Sequence, residues 1–355
     1  MEICRDDLLQ ALKALKDLAK GKLHPILKNV KLEACQETLV VSATDLAVFA
    51  ELYVPIITEG EAVWSCLVPH KTLTALLRTI KAKLVSLDLH AAGLCISAGD
   101  GAFVLPSTEI EEFPEFPASP DMEDTRDNLP AEIIEELKRA KFVISDDASR
   151  AQLCGVYWEK DKIIATDGKR LVDILTERVP ALVGYSIPKA VIDPLQYLTQ
   201  CAPDFSFGHK ESLAEFATGH GVVRTRLIEG APPDYQSCLP KTYDYYVTVP
   251  RADLARAIKR LQAADPQDFL TVRVGEDVRL QIGGNSSALV SAKILENHST
   301  SGPVTQTFKA AFILDGLKVL GKKDSVTLAL SSTGPAVMAF RNWRYHFMPV
   351  AGART

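Results

Sequence analysis

Residues 6–20 read DDLLQALKALKDLAK, residues 130–141 read PAEIIEELKRAK, and residues 250–261 read PRADLARAIKRL. In each, apolar side chains recur at helical spacing: Leu8, Leu12 and Leu15; Ile133, Ile134 and Leu137; Leu254, Ile258 and Leu261. Two of the three open on a proline with an acid close behind, a common helix start. From Pro130 to Pro250 is 120 positions, the size of a domain. A pattern that returns at a domain-sized period is an internal repeat, and it constrains the fold more than any single residue does.

Working outward, each of these helices is followed by alternating apolar strands, for example Thr38–Ser42, Lys162–Ala165 and Val278–Ile282. A second helical pattern then follows in each third: His70–Lys81 (HKTLTALLRTIK), Pro188–Gln200 (PKAVIDPLQYLTQ) and Lys309–Leu320 (KAAFILDGLKVL). More strands come after it. Each third thus reads helix, strands, helix, strands, a duplication inside a triplication. The expected fold class is α+β: three tandem similar domains, each with two helices packed on antiparallel sheets. The proline- and acid-rich stretch Pro106–Asn128 and the shorter Leu239–Asp244 mark the junctions. The domains are therefore expected at 1–121, 122–244 and 245–355.

Bulk composition excludes several classes. The chain has 355 residues, 47% hydrophobic and 24% charged, which suits a soluble globular protein with a real core in each domain. Met1–Lys20 carries Asp6, Asp7, Lys13 and Asp17 inside its apolar pattern, unlike an export signal. No apolar run is long enough to span a bilayer, so a cytoplasmic protein without membrane contact is expected. Seven cysteines stand singly with no CxxC, which reads as buried thiols in a reducing compartment. His24, His70, His90, His209, His220, His298 and His346 are scattered, with no triad or zinc spacing. No catalytic residue, metal site or cofactor is expected.

The net charge of −5 argues against a simple basic nucleic-acid binder, but its distribution is uneven. The predicted helices carry Lys13, Lys16 and Lys20; Lys71, Arg78 and Lys81; Lys138 and Arg139; Arg251, Arg256, Lys259 and Arg260; and Lys318, Lys322 and Lys323. Acids gather in the first junction at Glu109, Glu111, Glu112, Glu115, Asp121, Glu123 and Asp124. One reading is a set of solvated helix faces. The other is a basic inner surface that holds DNA by its phosphates without reading sequence. Glu132, Glu135 and Glu136 interrupt the pattern on the third segment.

Several longer stretches carry a family resemblance. They are HPILKNVKLEA (24–34), SATDLAVFAEL (42–52), ATDGKRLVD (165–173), SIPKAVIDPL (186–195), TRLIEGAPPDYQSCLPK (225–241) and YHFMPV (345–350). In order and spacing the chain resembles the bacterial DNA polymerase III beta sliding clamp, or processivity factor, over essentially its whole length. The resemblance implies a head-to-tail homodimer forming a six-domain ring around double-stranded DNA, with helices lining the hole. It implies no enzyme but a tether for the DNA polymerase III catalytic subunit, the clamp loader, and other polymerases and repair proteins.

The resemblance also implies a peptide groove between the second and third domains. Carried over residue by residue, it comprises Leu153, Thr166, Gly168, Lys169, Arg170, Leu171, Pro240, Phe312, Met348, Pro349 and Val350. Arg170 is expected to offer directional hydrogen bonds at its rim. DNA contacts in the lumen are expected from Lys13, Lys20, Lys22, Arg78, Arg150, Arg256, Lys259 and Lys318. The dimer interface is expected at Phe103 and Leu105 against Ala263 and Ala264 of the other chain. Departures from the family pattern are Lys169 for a common His, Phe312 for a common Tyr, and MPV followed by AGART (351–355) for MPMRL. Ala151 and Gln152 replace aromatic residues, and Ala263 and Ala264 are smaller than usual. The altered groove end also fits a divergent clamp of a phage or mobile element, or an inhibitor-evading spare copy. An enzyme and a monomeric adaptor are the remaining alternatives.

Overall fold

The computed structural model describes residues 1–21, 24–58, 63–99, 101–119, 127–176, 182–200, 202–230, 232–282, 286–298, 302–321 and 324–350. The same element order recurs in each third, with one added strand, β22, between the two helices of the last. The first runs β1 (Glu2–Cys4), α1 (Arg5–Leu15), β2 (Asn29–Cys35), β3 (Thr38–Thr44), β4 (Val48–Pro55), β5 (Trp64–Pro69), α2 (His70–Thr79), β6 (Leu84–His90), β7 (Gly93–Ala98) and β8 (Gly101–Leu105). The second runs β9 (Asp127–Pro130), α3 (Glu132–Ala140), β10 (Gly155–Trp158), β11 (Lys162–Thr166), β12 (Arg170–Leu175), β13 (Tyr185–Pro188), α4 (Ile192–Leu198), β14 (Asp204–Lys210), β15 (Leu213–Thr218) and β16 (Gly221–Arg226), trailed by the short β17 (Ile228–Glu229). The third runs β18 (Tyr245–Pro250), α5 (Arg251–Ala264), β19 (Phe269–Val274), β20 (Val278–Ile282), β21 (Ser286–Val290), β22 (Lys293–Asn297), β23 (Val304–Lys309), α6 (Ala310–Lys318), β24 (Ser325–Leu330), β25 (Ala336–Phe340) and β26 (Trp343–Phe347).

Two predicted helices differ in length, for local reasons. Residues 6–20 do not form one helix. α1 stops at Leu15, and Lys16–Lys20 continue as a turn in which Leu18 and Ala19 are buried and both amides return to the Leu15 carbonyl. The 188–200 segment enters α4 through a 3₁₀ turn at Lys189–Val191. Pro194 sits in the first turn of α4 and has no amide hydrogen to donate back, so the regular helix begins late.

The chain packs as two compact units, which do not follow the thirds of the sequence. One contains Met1–Glu135 with Ile187–Ile228, the other Glu136–Ser186 with Glu229–Thr355. Strand pairing explains the division of the central third. In the first unit the order is β5-β2-β3-β4-β16-β15-β14-β9, with β4 and β16 in register from Val48↔Thr225 to Leu52↔Gly221. Gly221 is needed there: at φ +146° a Cβ would lie 2.2 Å from the Glu51 carbonyl oxygen. In the second unit the order is β17-β13-β10-β11-β12-β26-β25-β24-β18-β22, with β12 and β26 in register from Arg170↔Phe347 to Ile174↔Trp343. Each unit has a further four-stranded sheet, β1-β6-β7-β8 in the first and β21-β20-β19-β23 in the second.

Each sheet buries alternate residues beneath helices. In the first unit Leu8, Leu12 and Leu15 of α1 are fully buried, and α1 packs on α4. In the second, Trp343, Tyr345 and Phe347 of β26 stack on one face, and the Phe308 ring meets Phe347 edge-on. Each fully buried Leu or Phe contributes roughly 1.5–3 kcal/mol against exposure.

Candidate functional site

The groove in the second unit is built on the turn Thr166–Arg170 between β11 and β12. Gly168, at φ +88°, takes the left-handed conformation the turn requires. The Thr166 hydroxyl donates to the Arg170 carbonyl at 2.7 Å and accepts the Gly168 amide at 3.0 Å. Asp167 Oδ1 accepts the amides of Lys169 and Arg170, both at 2.8 Å. Met348 follows β26, and its amide donates to the Lys169 carbonyl at 3.0 Å, which fixes the final segment against this turn.

A cavity of about 150 Å³, mostly apolar, opens beside the turn. Seven expected residues line it: Leu153, Thr166, Gly168, Lys169, Arg170, Leu171 and Met348. The far wall is the segment that includes Pro233, Tyr235 and Leu239, with Pro335 beside it. The Tyr235 hydroxyl donates to Glu159 at 2.9 Å and the Lys162 ammonium lies 5.4 Å from its ring centroid, so the wall is anchored to the sheet. Burial pushes the Tyr235 hydroxyl pKa up.

Four expected groove residues lie outside the cavity lining. Pro240 flanks the wall and packs near Gly334. Phe312 lies beneath Arg170, whose guanidinium is 4.7 Å from its ring centroid. Pro349 and Val350 continue past the rim, and the Val350 amide donates to the Thr307 carbonyl at 2.8 Å. Arg170 itself does not reach outward as expected. Its Nε pairs with Asp167 at 2.9 Å, its Nη1 with Asp315 at 3.0 Å, and its Nη2 donates to the Phe142 carbonyl. A guanidinium held at three points over an aromatic ring is a brace for the groove.

Sequence reading missed the 233–239 wall, Pro335 and His346 on the floor. A signal for His346 was present. In YHFMPV, strand alternation puts His346 and Met348 on one face and Tyr345 and Phe347 on the other. His346 Nε2 is 2.9 Å from Asp173 Oδ2, and Arg344 Nε is 3.3 Å from Asp173 Oδ1.

Of the basic residues expected to meet DNA, Lys13, Lys20 and Arg78 are exposed in the first unit, and Arg150, Arg256, Lys259 and Lys318 in the second. Lys22 lies outside the described residues. Local acids neutralise several: Lys20 pairs with Asp17 at 2.9 Å, Arg256 with Asp253 at 3.1 Å and Lys318 with Asp315 at 2.7 Å. Arg150 pairs with Asp147 at 3.1 Å and stands at the mouth of the groove, its Nη1 against Gly168. Hydrogen bonds from Ser149 and from Arg150 hold the Asp147 carboxyl below the usual carboxylate range.

Each of the four sheets ends on two edge strands, and β8 and β21 are two of them. Among the described residues β8 pairs only with β7, and β21 only with β20. Phe103 and Val104 on β8 and Leu289 on β21 are exposed, as are Ala263 and Ala264 at the end of α5, which packs on β21. Leu105, expected at an interface, is instead buried within its own sheet opposite Leu94.

Tandem helix-and-sheet repeats with an apolar groove define a clamp-type fold. A solved DNA polymerase III beta subunit from Thermotoga maritima has this fold, with a TM-score of 0.80, 21% identity and 99% of each chain covered. So does a sliding clamp from Bartonella birtlesii bound to griselimycin, with a TM-score of 0.77, 24% identity and 99% of each chain covered. The family described as "DNA polymerase III beta subunit, N-terminal domain" matches residues 1–117. The beta sliding clamp of Synechococcus elongatus is 24% identical over 337 residues, 89% of this chain and 88% of that protein. That of Helicobacter pylori is 24% identical over 350 residues, 94% and 92% of the two chains. The first third of the chain thus matches the DNA polymerase III beta subunit family, and the whole chain is similar to bacterial beta sliding clamps in sequence and in fold.

Proposed function

We propose that the protein is a DNA sliding clamp: two copies close head to tail into a ring around duplex DNA, and the groove tethers a polymerase to it. The observation that carries this reading is the pattern of sheet edges. The last strand of the first half of one third pairs with the last strand of the next third, β4 with β16 and β12 with β26. Among the described residues the same rule finds no such partner for β21 or for β8. Pairing β21 of one copy with β8 of another extends the rule, and two such pairings satisfy both edges of both chains. Exposed Phe103, Val104 and Leu289 then become buried. On this reading 1–121, 122–244 and 245–355 are repeats of one domain.

Retention on DNA is topological and needs no catalytic group. The exposed lysines and arginines of α1, α2, α5 and α6 hold phosphates loosely and without sequence preference, so the ring slides. The groove takes short, partly apolar peptide segments of the DNA polymerase III catalytic subunit, the clamp loader, and other polymerases and repair proteins. A polymerase held near the primer end rebinds at high effective concentration, and modest peptide affinity becomes processivity. The site of action is the cytoplasm. No helix among the described residues is long and apolar enough to cross a membrane.

The test is to load the protein onto nicked circular duplex with a clamp loader, then linearise the circle. Survival on circles at high salt with loss from linear DNA supports the clamp. Retention that ignores topology and falls only with salt overturns it.

A further inference from the structure

The first unit holds a second cleft, which the groove does not account for. It has a volume of about 560 Å³ and lies beside the Thr44–Val48 turn. Pro25, Ile26, Leu27, Leu46 and Pro114 line it, and Glu112 stands among them. Its construction repeats that of the groove one third earlier in the chain. A 3₁₀ turn carrying a buried leucine supplies one side of each, Pro25–Lys28 with Leu27 and Ala148–Leu153 with Leu153. A Thr-Asp turn supplies the next, and a proline-bearing segment completes the wall, with Pro114 here and Pro233 there. The clasp recurs as well: the Arg226 amide donates to the Ala47 carbonyl at 3.3 Å, as the Met348 amide does to that of Lys169.

The proline-bearing wall is anchored along its length. Thr108 and Leu67 exchange amide hydrogen bonds of 3.0 and 3.1 Å, and Phe113 is only 7% exposed. The Phe116 ring meets Phe49 edge-on, and Arg224 Nη1 donates to the Pro117 carbonyl at 3.1 Å. The cleft therefore stands open before any occupant arrives, which keeps the ordering cost of binding low. Leu46 is the residue that packing explains least. Its φ of +77° is costly for a bulky side chain, and it is 39% exposed. The groove turn places Gly168 at this position and avoids the strain. A strained leucine held out at an apolar cleft points to a contact surface.

Charge sets what that contact is. The groove turn carries Lys169 and Arg170 where the first-unit turn carries Ala47 and Val48, and the groove wall 233–239 holds one acid, Asp234. The wall 108–117 holds Glu109, Glu111, Glu112 and Glu115, all exposed and none in an ion pair among the described residues. Against them stand the exposed Lys28 and Arg226, beside Leu27 and Ala47, which leaves the acids in excess. Carboxylates along one side of an apolar cleft favour an occupant that is apolar at one end and cationic at the other.

We propose that this cleft is a second docking site, which takes a partner-protein segment of apolar residues followed by lysine or arginine. Ile26 and Leu46 meet the apolar residues, and the wall bearing Glu112 meets the cations. This goes beyond the clamp reading and does not depend on it.

The probe is a capped peptide of two leucines, a phenylalanine and two lysines, titrated into the full-length protein with its leucine methyl groups labelled for NMR. The Leu27 and Leu46 methyl signals shift, while those of Leu153 and Leu171 report the groove in the same spectra. Replacing both lysines with glutamate weakens binding beside Leu46 on the order of tenfold at low salt. Leu46→Gly relieves the turn, so the fold keeps its stability, yet binding weakens about tenfold through lost apolar contact. Glu111→Gln together with Glu112→Gln weakens binding a few-fold and flattens its salt dependence. Unmoved Leu27 and Leu46 methyls overturn the proposal, whether or not Leu153 and Leu171 shift. So does a glutamate peptide that binds beside Leu46 as tightly as the lysine one. A Leu46 signal that moves with protein concentration in the absence of peptide shows a second copy seated in the cleft, and overturns the assignment to a partner.

Discussion

The turns Thr44–Val48 and Thr166–Arg170 are copies of one another in different units. In the first, the Thr44 hydroxyl donates to the Val48 carbonyl at 2.8 Å and accepts the Leu46 amide at 2.9 Å. Asp45 Oδ1 accepts the amides of Ala47 and Val48 at 3.1 and 2.8 Å. Every one of these bonds has its twin around Thr166 and Asp167. The left-handed position differs: Leu46 at φ +77° against Gly168 at φ +88°. The side chain two residues on differs as well, buried Val48 against Arg170, which is tied into Asp167, Asp315 and Phe142. The lesson is that Thr-Asp makes the turn, and the residues after it decide what the turn becomes. A cleft opens beside Leu46 as well, but only the Gly168 copy braces its cleft with a guanidinium.

Removing the shared acid should affect the two turns unequally. Asp167→Ala leaves the Lys169 and Arg170 amides without their acceptor and removes the Arg170 pairing, a cost of roughly 2–4 kcal/mol. Asp45→Ala only leaves the Ala47 and Val48 amides without their acceptor, roughly 1–2 kcal/mol. Hydrogen exchange resolved by peptide reads each unit separately, and equal losses would break the comparison. Next in size is Arg170→Lys, which keeps the charge but drops the fork that reaches Asp167 and Asp315 together. It should loosen β12 and the groove turn by about 1–3 kcal/mol in the same measurement. Smaller still is exchange at the left-handed position. Gly168→Leu should cost about 1–2 kcal/mol, whereas Leu46→Gly should leave its own unit unchanged or slightly more stable. If Gly168→Leu is harmless both to folding and to binding of a short, partly apolar peptide, the space above Gly168 is not what makes the groove.

The units should also part company in mild acid. His70, at the start of α2, has Nε2 2.7 Å from the Leu12 carbonyl, and burial is the main cause holding its pKa below the ordinary 6.5. Arg78, Lys16 and Lys71 push it the same way. The folded state resists a proton that the unfolded chain accepts. The first unit therefore keeps its full stability above pH 6.5 and loses it progressively as the pH falls below that value. Protection of α1 and α2 against exchange should drop between pH 7 and 5 in the wild type and stay flatter in His70→Gln, which retains a donor for Leu12.

The repeat was legible in the helical spacing of Leu8, Leu12 and Leu15 and of its two later counterparts, and Thr166-Asp167-Gly168 marked a turn by its residue types, whereas only the family resemblance assigned that turn to a groove. Cavity residues that sequence reading missed come from a different part of the chain. Tyr235 and Leu239 reach the cleft only because their segment folds back on the sheet, and no periodicity announces that.

By itself the sequence determined the threefold element order, the apolar faces of the helices and the hydrogen-bonded form of the Thr-Asp turns, all set by interactions within a few residues. Only the tertiary structure decided that the central third is divided between two packing units, that Arg170 turns inward to Asp315, that Leu105 is buried, and that a histidine lies under the groove. Each of these depends on which strands lie side by side. β12 meets β26 across more than 170 residues of chain, as the 173-residue separation of Asp173 and His346 shows. Pairing over that distance follows from burial of whole sheet faces rather than from any local pattern.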